Sequence, residues 1–150
     1  MKIKIIKYSE IYKEQLVKMI NCLYIEDPEG EPMSDEKIKA TIEYAQEHPD
    51  CLKIYMICDE SEQAIGYAII QYIWSNEFGG ITANIDEMYI VQSARGQGIA
   101  TKFIEELNVL IPQAKRFTLE VTPSNDEALK LYKRLGFESA ENRMMEKVMQ

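Results

Sequence analysis

One stretch of the sequence, MYIVQSARGQGIATKFI from Met88 to Ile104, constrains the fold more than any other. It begins as an apolar strand, turns through Gly96 and Gly98, and continues as an amphipathic helix. The first amides of a helix have no partner within the helix, and the helix dipole places partial positive charge there. Glycine lets such amides approach an anion without an intervening side chain. The stretch therefore predicts a strand, a turn that can hold a phosphate, and a helix.

The rest of the chain predicts strands and helices within one domain, residues 1–150. Apolar periodicity predicts strands at 2–8, 51–60, 64–75, 81–92 and 116–122, and helices at 9–27, 34–48, 98–111 and 124–136. The last helix starts with a capping box from Ser124 to Glu127. Residues 137–149 are expected to add one or two closing strands. The order predicts an α/β to α+β fold, a mixed, mostly antiparallel sheet of six or seven strands with helices on both faces.

Composition excludes several classes of partner and site. A net charge of -8, from 25 acidic and 17 basic residues, argues against a nucleic-acid partner. No apolar run approaches the roughly 20 residues of a membrane helix, and the charged start does not resemble a signal peptide, so no membrane partner and a cytoplasmic location are expected. Cys22, Cys51 and Cys58 are expected to be reduced core thiols. His48 is the single histidine, so no metal site is expected.

Three kinds of phosphate turn compete for the two glycines. A Walker loop requires a G-x-x-x-x-G-K-[ST] sequence, which is absent. A dinucleotide fingerprint requires a third glycine, but Thr101 stands at that position. The remaining reading from the turn alone is a tight turn without a ligand. The glycines by themselves therefore leave the ligand open.

Two further motifs resemble one family. Arg95, Gly98 and Ala100 match the Q/R-x-x-G-x-G/A signature of the GNAT superfamily of N-acetyltransferases. The later NDEALKLYKRLGF is similar to the second cofactor segment of that family, N-x-x-A-x-x-[LF]-Y-x-x-x-G-F. The order of elements also resembles the family over essentially the whole chain, with the most specific residues between Ile85 and Phe137. The resemblance implies the GNAT fold, an N-acetyltransferase activity and acetyl-CoA (coenzyme A) as cosubstrate.

The resemblance also implies where acetyl-CoA binds. In this family two central parallel strands splay apart, and the pantetheine arm pairs with the free backbone of one of them. Here that backbone would belong to Met88 and Ile90, and Asn125 would contact the arm from the other side. The pyrophosphate would lie on the turn and first helical residues, namely Arg95, Gly96, Gln97, Gly98, Ile99, Ala100 and Thr101.

Direct attack of an amine on the thioester requires an oxyanion donor, an acid and a base. A backbone amide of the splayed strand would stabilise the oxyanion. Tyr132, at the family's tyrosine position, would protonate the leaving thiolate, although a helix tyrosine can also serve only to pack the core. Glu87 would act as base through a water molecule, with Asp86 as the alternative if a bulge turns it inward. Alternatively, a salt bridge would by itself explain why the carboxylate of Glu87 occurs among apolar residues, without a catalytic role.

The acceptor is expected to be a small-molecule or peptidyl amine. The connection YIEDPEGEPMSDE contains Glu26, Asp27, Glu29, Glu31, Asp35 and Glu36 and no basic residue. An acidic loop at the entrance of the site would attract a cationic amine, for example a polyamine or an aminoglycoside. A loop that is acidic only because it is solvated explains the same residues equally well. Tyr24, Trp74 and Phe78 are candidates for an aromatic wall. A catalytically silent acetyl-CoA-binding module is the alternative function, and the methionine-rich end leaves a homodimer open.

Overall fold

A single mixed sheet forms the centre of the structure, a computed structural model that describes residues 1–28 and 30–150. Its strands lie in the order β1-β2-β3-β4-β5, and every neighbouring pair is antiparallel except β4 and β5. Their bounds are β1 Lys4–Lys7, β2 Leu52–Cys58, β3 Ala64–Ser75, β4 Gly80–Ile90 and β5 Ala114–Leu119. The first seven residues of β3 are buried, as expected of a central strand covered on both faces.

Four α-helices cover the two faces of this sheet. Their bounds are α1 Lys13–Glu26, α2 Asp35–Glu47, α3 Ile99–Leu110 and α4 Asp126–Arg134. Short 3-10 turns precede α1 at Glu10–Tyr12 and follow β4 at Gln92–Ala94. The helices therefore occur where the apolar periodicity predicts them.

Two apolar clusters fill the space between the helices and the sheet. On one face, Leu16 of α1 and Ile38 of α2 pack with Met56 and Tyr67 of the sheet. On the other face, the fully buried Phe103 of α3 belongs to the second cluster, which Tyr132 of α4 borders. The prediction of helices on both faces of a mixed sheet is thus confirmed.

The expectation of six or seven strands is not confirmed, because the described residues contain five. The residues after Phe137 form no strand and are exposed, including Met144, Met145, Val148 and Met149. In this segment the apolar residues come in adjacent pairs separated by Glu146 and Lys147. Such pairs would point to opposite faces of a strand, so the segment lacks the alternation that places one apolar face on a core.

The three cysteines differ in burial, in contrast to the prediction that all of them are core thiols. Cys58 is buried in the cluster under α1, and Cys22 is partly buried beside it. Cys51 is exposed in the turn before β2. A core role therefore applies to Cys58 and, in part, to Cys22.

A bulge interrupts the pairing of β3 with β4. Ile70 pairs with Ile85 and Ile69 pairs with Glu87, so Asp86 is the extra residue of β4. Beyond the bulge the two strands come unusually close at Gly66, where a Cβ atom would lie 2.6 Å from the Tyr89 carbonyl oxygen. Gly66 therefore allows the end of β4 to lie directly against β3.

The substitution Gly66→Ala should destabilise the fold by about 1–3 kcal/mol, because the added methyl group overpacks the contact with the Tyr89 backbone. Asn76→Ala is the control, since Asn76 lies exposed in the turn between β3 and β4. The control should change stability by about 0.5 kcal/mol or less. Urea unfolding of the three proteins measures the difference. Equal effects of the two substitutions would contradict the close approach at Gly66.

Candidate active site

A cleft opens where β4 and β5 stop pairing. The parallel pairing ends at Ile85 and Leu119, and both chains continue beyond it without a shared ladder. A cavity of about 420 Å³ lies at this point. Residues from four parts of the fold line it: Leu23, Tyr24 and Asp27 at the end of α1, 85–88 of β4, 119–123 after β5, and Asn125, Ala128 and Tyr132 of α4.

The register of the sheet directs part of the β4 backbone toward this cleft. Val91 N–H donates to the Ile65 carbonyl at 2.9 Å, and alternate residues of an antiparallel pair share that direction. Glu87 and Tyr89 therefore bond to β3, whereas Met88 and Ile90 present their backbone groups to the side that β5 has left. One of these groups is engaged, because the Ile90 carbonyl accepts a hydrogen bond from Arg95 Nε at 2.9 Å.

The bulge decides which face of the sheet Glu87 occupies. One extra residue reverses the side-chain alternation of a strand. Ile85 and Met88 consequently both contact the α3 cluster, and Tyr89 belongs to the cluster under α1. Glu87 lies on the α1 side, where Tyr24 O–H donates to its Oε2 at 2.6 Å and Tyr67 O–H donates to its Oε1 at 2.8 Å.

The two tyrosines are strong and permanently protonated donors to Glu87. Burial raises the pKa of Tyr67 and of Tyr24 well above the usual value, and the nearby Glu87 carboxylate raises both further. No salt bridge to Glu87 occurs among the described residues. Tyr67 was not among the predicted site residues. Its signal in the sequence is a phenol inside the apolar run AIGYAII, because a buried hydroxyl requires a partner.

Asp86 projects into the cleft without a hydrogen-bond partner among the residues that the structure describes. Its side chain is solvent-exposed, but the walls of the cleft partly desolvate it. That desolvation, together with the negative charges of Glu87 and then Glu120, raises the pKa of its carboxyl. Asp27 lines the same cavity from the end of α1. The cleft is therefore acidic.

Tyr132 reaches the cleft from α4. Its ring packs edge-on against Phe137 at 5.8 Å between ring centroids, and burial raises the pKa of its hydroxyl. The hydroxyl forms no hydrogen bond with the described part of the chain. Tyr132 thus packs its ring against the core and also lines the cavity that holds Asp86 and Glu87, and its role as the acid stays a prediction.

Asn125 has a structural role at the start of α4 as well as a place in the cleft. Its Oδ1 accepts a hydrogen bond from Ala128 N–H at 3.1 Å and so caps the helix. The predicted capping box from Ser124 to Glu127 is therefore wrong by one residue. The amide group of Asn125 can still donate toward the cleft, because capping uses only its oxygen.

The glycine turn forms a second cavity, of about 330 Å³, further along the unpaired end of β4. Gly96 and Gly98 have φ angles of 76° and 74°, which only glycine adopts without strain. Lys102 N–H donates the first α3 bond to the Gly98 carbonyl, so the amides of Ile99, Ala100 and Thr101 remain free for a ligand. Arg134 of α4 lines this cavity as well and was not predicted.

The side chains of two residues in this turn contact other parts of the chain. The Arg95 guanidinium donates from Nη2 to Glu26 Oε2 at 2.6 Å, and Arg95 also lines the glycine-turn cavity. Gln97 lines a neighbouring hollow on the α1 side, together with Cys22 and Tyr89, rather than the glycine-turn cavity. The Arg95 guanidinium therefore already has partners within the chain, and binding of phosphate by this turn stays a prediction that rests mainly on its backbone amides.

The aromatic wall proposed for the acceptor side is wrong in two of its three members. Tyr24 lines the cleft, but Trp74 and Phe78 lie at the hairpin that joins β3 to β4, remote from the bulge. Trp74 is 67% exposed, and the Arg116 guanidinium covers Phe78 at 4.5 Å. Of the acidic connection, Glu26 and Asp27 approach the site, and Glu29 lies outside the described residues.

Comparison with known proteins identifies this arrangement. The model of the acetyltransferase (GNAT) family matches residues 13–137. The chain belongs to the GNAT acetyltransferase family. That membership confirms the predicted family, which is a family of acetyltransferases.

One curated relative is similar over part of the chain. Thialysine N-epsilon-acetyltransferase of Mus musculus is 34% identical over 74 residues, which are 48% of this chain. The match spans 43% of the length of that relative, less than half.

Solved structures share the fold over the whole chain. A protein of Clostridium difficile 630 described as "a possible acetyltransferase" has a TM-score of 0.84 at 16% identity, covering 99% of this chain and 98% of that one. AAC(6')-Iy, solved with the bisubstrate analog CoA-S-monomethyl-acetylneamine, has a TM-score of 0.78 at 18% identity and full coverage of both chains.

The described residues lack two further features. Residues 1–28 and 30–150 contain no group of three or more His, Cys, Asp or Glu side chains arranged to hold a metal ion. Within the same residues, no helix combines the length and apolarity needed to cross a membrane.

The substitution Asp86→Asn should raise the free energy of unfolding at neutral pH. Folding raises the pKa of this carboxyl, so its charge destabilises the folded state once the pH exceeds the folded pKa. Asparagine removes that cost, and the gain should vanish as the pH falls below the unfolded pKa of about 3.9. Thermal unfolding at a series of pH values measures the effect.

The control for this prediction is Asp50→Asn, in the exposed turn between α2 and β2. This substitution should leave stability close to that of wild type, because Asp50 lies outside the cleft. If Asp86→Asn leaves stability at neutral pH unchanged or lowers it, the cleft does not disfavour the Asp86 charge.

Proposed function

We propose that this protein transfers an acetyl group from acetyl-CoA to a primary amine by direct attack in a ternary complex. The observation that carries the proposal is the cavity where β4 and β5 part, because Asp86, Glu87 and Tyr132 line it together. A base, an acid and unpaired backbone amides at one point are what such a transfer requires. The family supports the reaction type, and the shared cavity supports these residues for the three roles.

Acetyl-CoA would lie along the unpaired end of β4, between the two cavities. The arm would pair with the backbone of Met88 and with Ile90 N–H, since the Ile90 carbonyl already accepts from Arg95. Asn125 faces the same path from α4. The amides from Gly96 to Thr101 would bind the pyrophosphate through their orphan N–H groups and the dipole of α3.

Acetyl-CoA supplies a thioester carbonyl to which the amine nitrogen forms a bond as the carbon–sulfur bond breaks. A backbone amide of the unpaired β4 segment, with Met88 N–H best placed, would donate to the carbonyl oxygen as negative charge develops there. Tyr132 would donate a proton or a hydrogen bond to the departing sulfur. Burial supports this role, because the raised pKa keeps its hydroxyl protonated.

The two carboxylates would divide the acceptor side between them. Asp86, free of hydrogen-bond partners in the described structure, would attract the ammonium group of the substrate. Glu87 would accept the proton of the amine through a water molecule. Each of its oxygens receives one tyrosine hydrogen bond and keeps a second lone pair for that water. Asp86 remains the alternative base.

The acceptor we propose is a cationic amine, either a small molecule or a peptidyl amine. Asp27, Asp86 and Glu120 line the cavity and repel anionic acceptors. The curated relative is named for thialysine, and the AAC(6')-Iy complex contains an acetylneamine analog, so both proteins are associated with amines. The acidic lining supports extending that chemistry to this chain.

A screen of acceptors tests the class. Purified protein is incubated with acetyl-CoA and thialysine, spermidine, neamine or a peptide with a free amino terminus, and the released thiol is measured. We expect turnover with at least one amine and none with acidic acceptors such as an aspartyl peptide with a blocked amino terminus. Binding of CoA without turnover of any acceptor would favour the silent module.

The substitution Tyr132→Phe should lower kcat by about 10²- to 10⁴-fold while leaving the Kd for CoA nearly unchanged, because only the proton donor is removed. Tyr44→Phe is the matched control, since Tyr44 lies on α2 against His48 and outside the cleft. Steady-state kinetics and calorimetric titration with CoA measure the two effects. Unchanged kcat in Tyr132→Phe would exclude Tyr132 as the acid.

A further inference from the structure

We infer that Arg95 is a positioning residue that fixes the glycine turn and the unpaired end of β4 to helix α1, rather than a ligand of the cofactor phosphates. The inference rests on the proposed function, since it assigns roles within the acetyl-CoA site. Arg95 stands between the 3-10 turn that follows β4 and Gly96, the first glycine of the glycine turn.

The Arg95 guanidinium already has two hydrogen-bond partners. Its Nε donates to the Ile90 carbonyl at 2.9 Å, and its Nη2 donates to Glu26 Oε2 at 2.6 Å. The group also lies over the Tyr89 ring, 5.2 Å from its centroid, and Tyr89 O–H donates to Glu26 Oε1 at 3.1 Å. We name Glu26, Tyr89 and Arg95 the clasp. The planar guanidinium of Arg95 bridges a carbonyl and a carboxylate at once, which the single ammonium group of a lysine cannot reproduce.

The clasp contacts the part of β4 that does not pair with β5. Residues 86–90 of β4 have no ladder to β5, so β3 is the one strand of the described structure that pairs with this segment. The last turn of α1 supports this segment at both ends. Tyr24 donates to Glu87 beside the bulge, and Glu26 receives Arg95 and Tyr89 at the far end. The clasp therefore sets the position of the strand edge along which the pantetheine arm would lie.

The Glu26 carboxylate also makes Arg95 a poor phosphate ligand. It pairs with the guanidinium on the α1 side of β4, so a phosphate would have to compete with a carboxylate for this group. Arg134 offers the alternative charge. It lies in the last turn of α4, lines the glycine-turn cavity and forms no hydrogen bond or ion pair with residues 1–28 and 30–150. Arg134 is thus the guanidinium available to phosphate, and it serves as the contrasting variant.

The test compares two ligands, CoA and pantetheine, which has the arm but no phosphate. Their Kd values are measured with folded wild type, Glu26→Gln, Arg95→Lys and Arg134→Met, by calorimetry for CoA and by NMR titration for pantetheine. We expect Glu26→Gln and Arg95→Lys to weaken both ligands by the same factor, roughly 2- to 30-fold. Arg134→Met should weaken CoA by about tenfold or more and leave pantetheine unchanged.

Other outcomes would overturn the inference. If Arg95 binds phosphate, Arg95→Lys should retain CoA affinity through its charge, and Glu26→Gln should tighten CoA by releasing the guanidinium. If the clasp only stabilises the fold, both variants should lower Tm and leave both Kd values unchanged. Glu14→Gln, in the first turn of α1, is the control and should match wild type in every measurement. Wild type that fails to bind CoA would instead refute the proposed function.

Discussion

The end of the β4–β5 ladder at Ile85 and Leu119 is the constraint on which the rest of the site depends. Up to that pair the sheet is continuous, and its two faces bury the apolar sides of the helices. Beyond it, backbone groups of β4 face an open cleft instead of a neighbouring strand. Unpaired backbone groups at the centre of a sheet are costly unless a ligand or water satisfies them. The same feature therefore weakens the fold locally and creates a binding edge.

The bulge at Asp86 determines where the two carboxylates lie at the end of the β4–β5 ladder. Because one inserted residue reverses the alternation of β4, it directs Glu87 toward α1 and leaves Asp86 in the cleft. Without it, Glu87 would share a face with Ile85 and point into the apolar cluster under α3. Two adjacent carboxylates acquire different environments in this way: Glu87 receives two phenol hydrogen bonds, whereas Asp86 remains unpaired in the described structure beside other negative charges. Such a division of surroundings is how one site separates two carboxylate roles.

Much of the fold was predictable, because apolar periodicity reports which side of an element is buried. It placed five strands and four helices. Two motifs identified the family, and the resemblance to that family predicted that Tyr132 and Glu87 would lie in one cleft. Apolar periodicity failed for the last residues, where a β-forming composition without alternation does not build a strand. It also could not show the partners of a side chain across long sequence separations. The contact of Arg95 with Glu26, the support of Glu87 by Tyr67 and the location of Trp74 away from the cleft all depend on the register of the sheet.

Amide hydrogen exchange measured by NMR, with and without CoA, tests most directly whether the unpaired β4 edge receives the cofactor arm. The amides of Glu87 and Tyr89 bond to β3 and should exchange slowly in both states, whereas Met88 and Ile90 should exchange fast in the free protein and become protected when CoA binds. Protection of Met88 and Ile90 before CoA is added, or no change after saturation with CoA, would contradict the account.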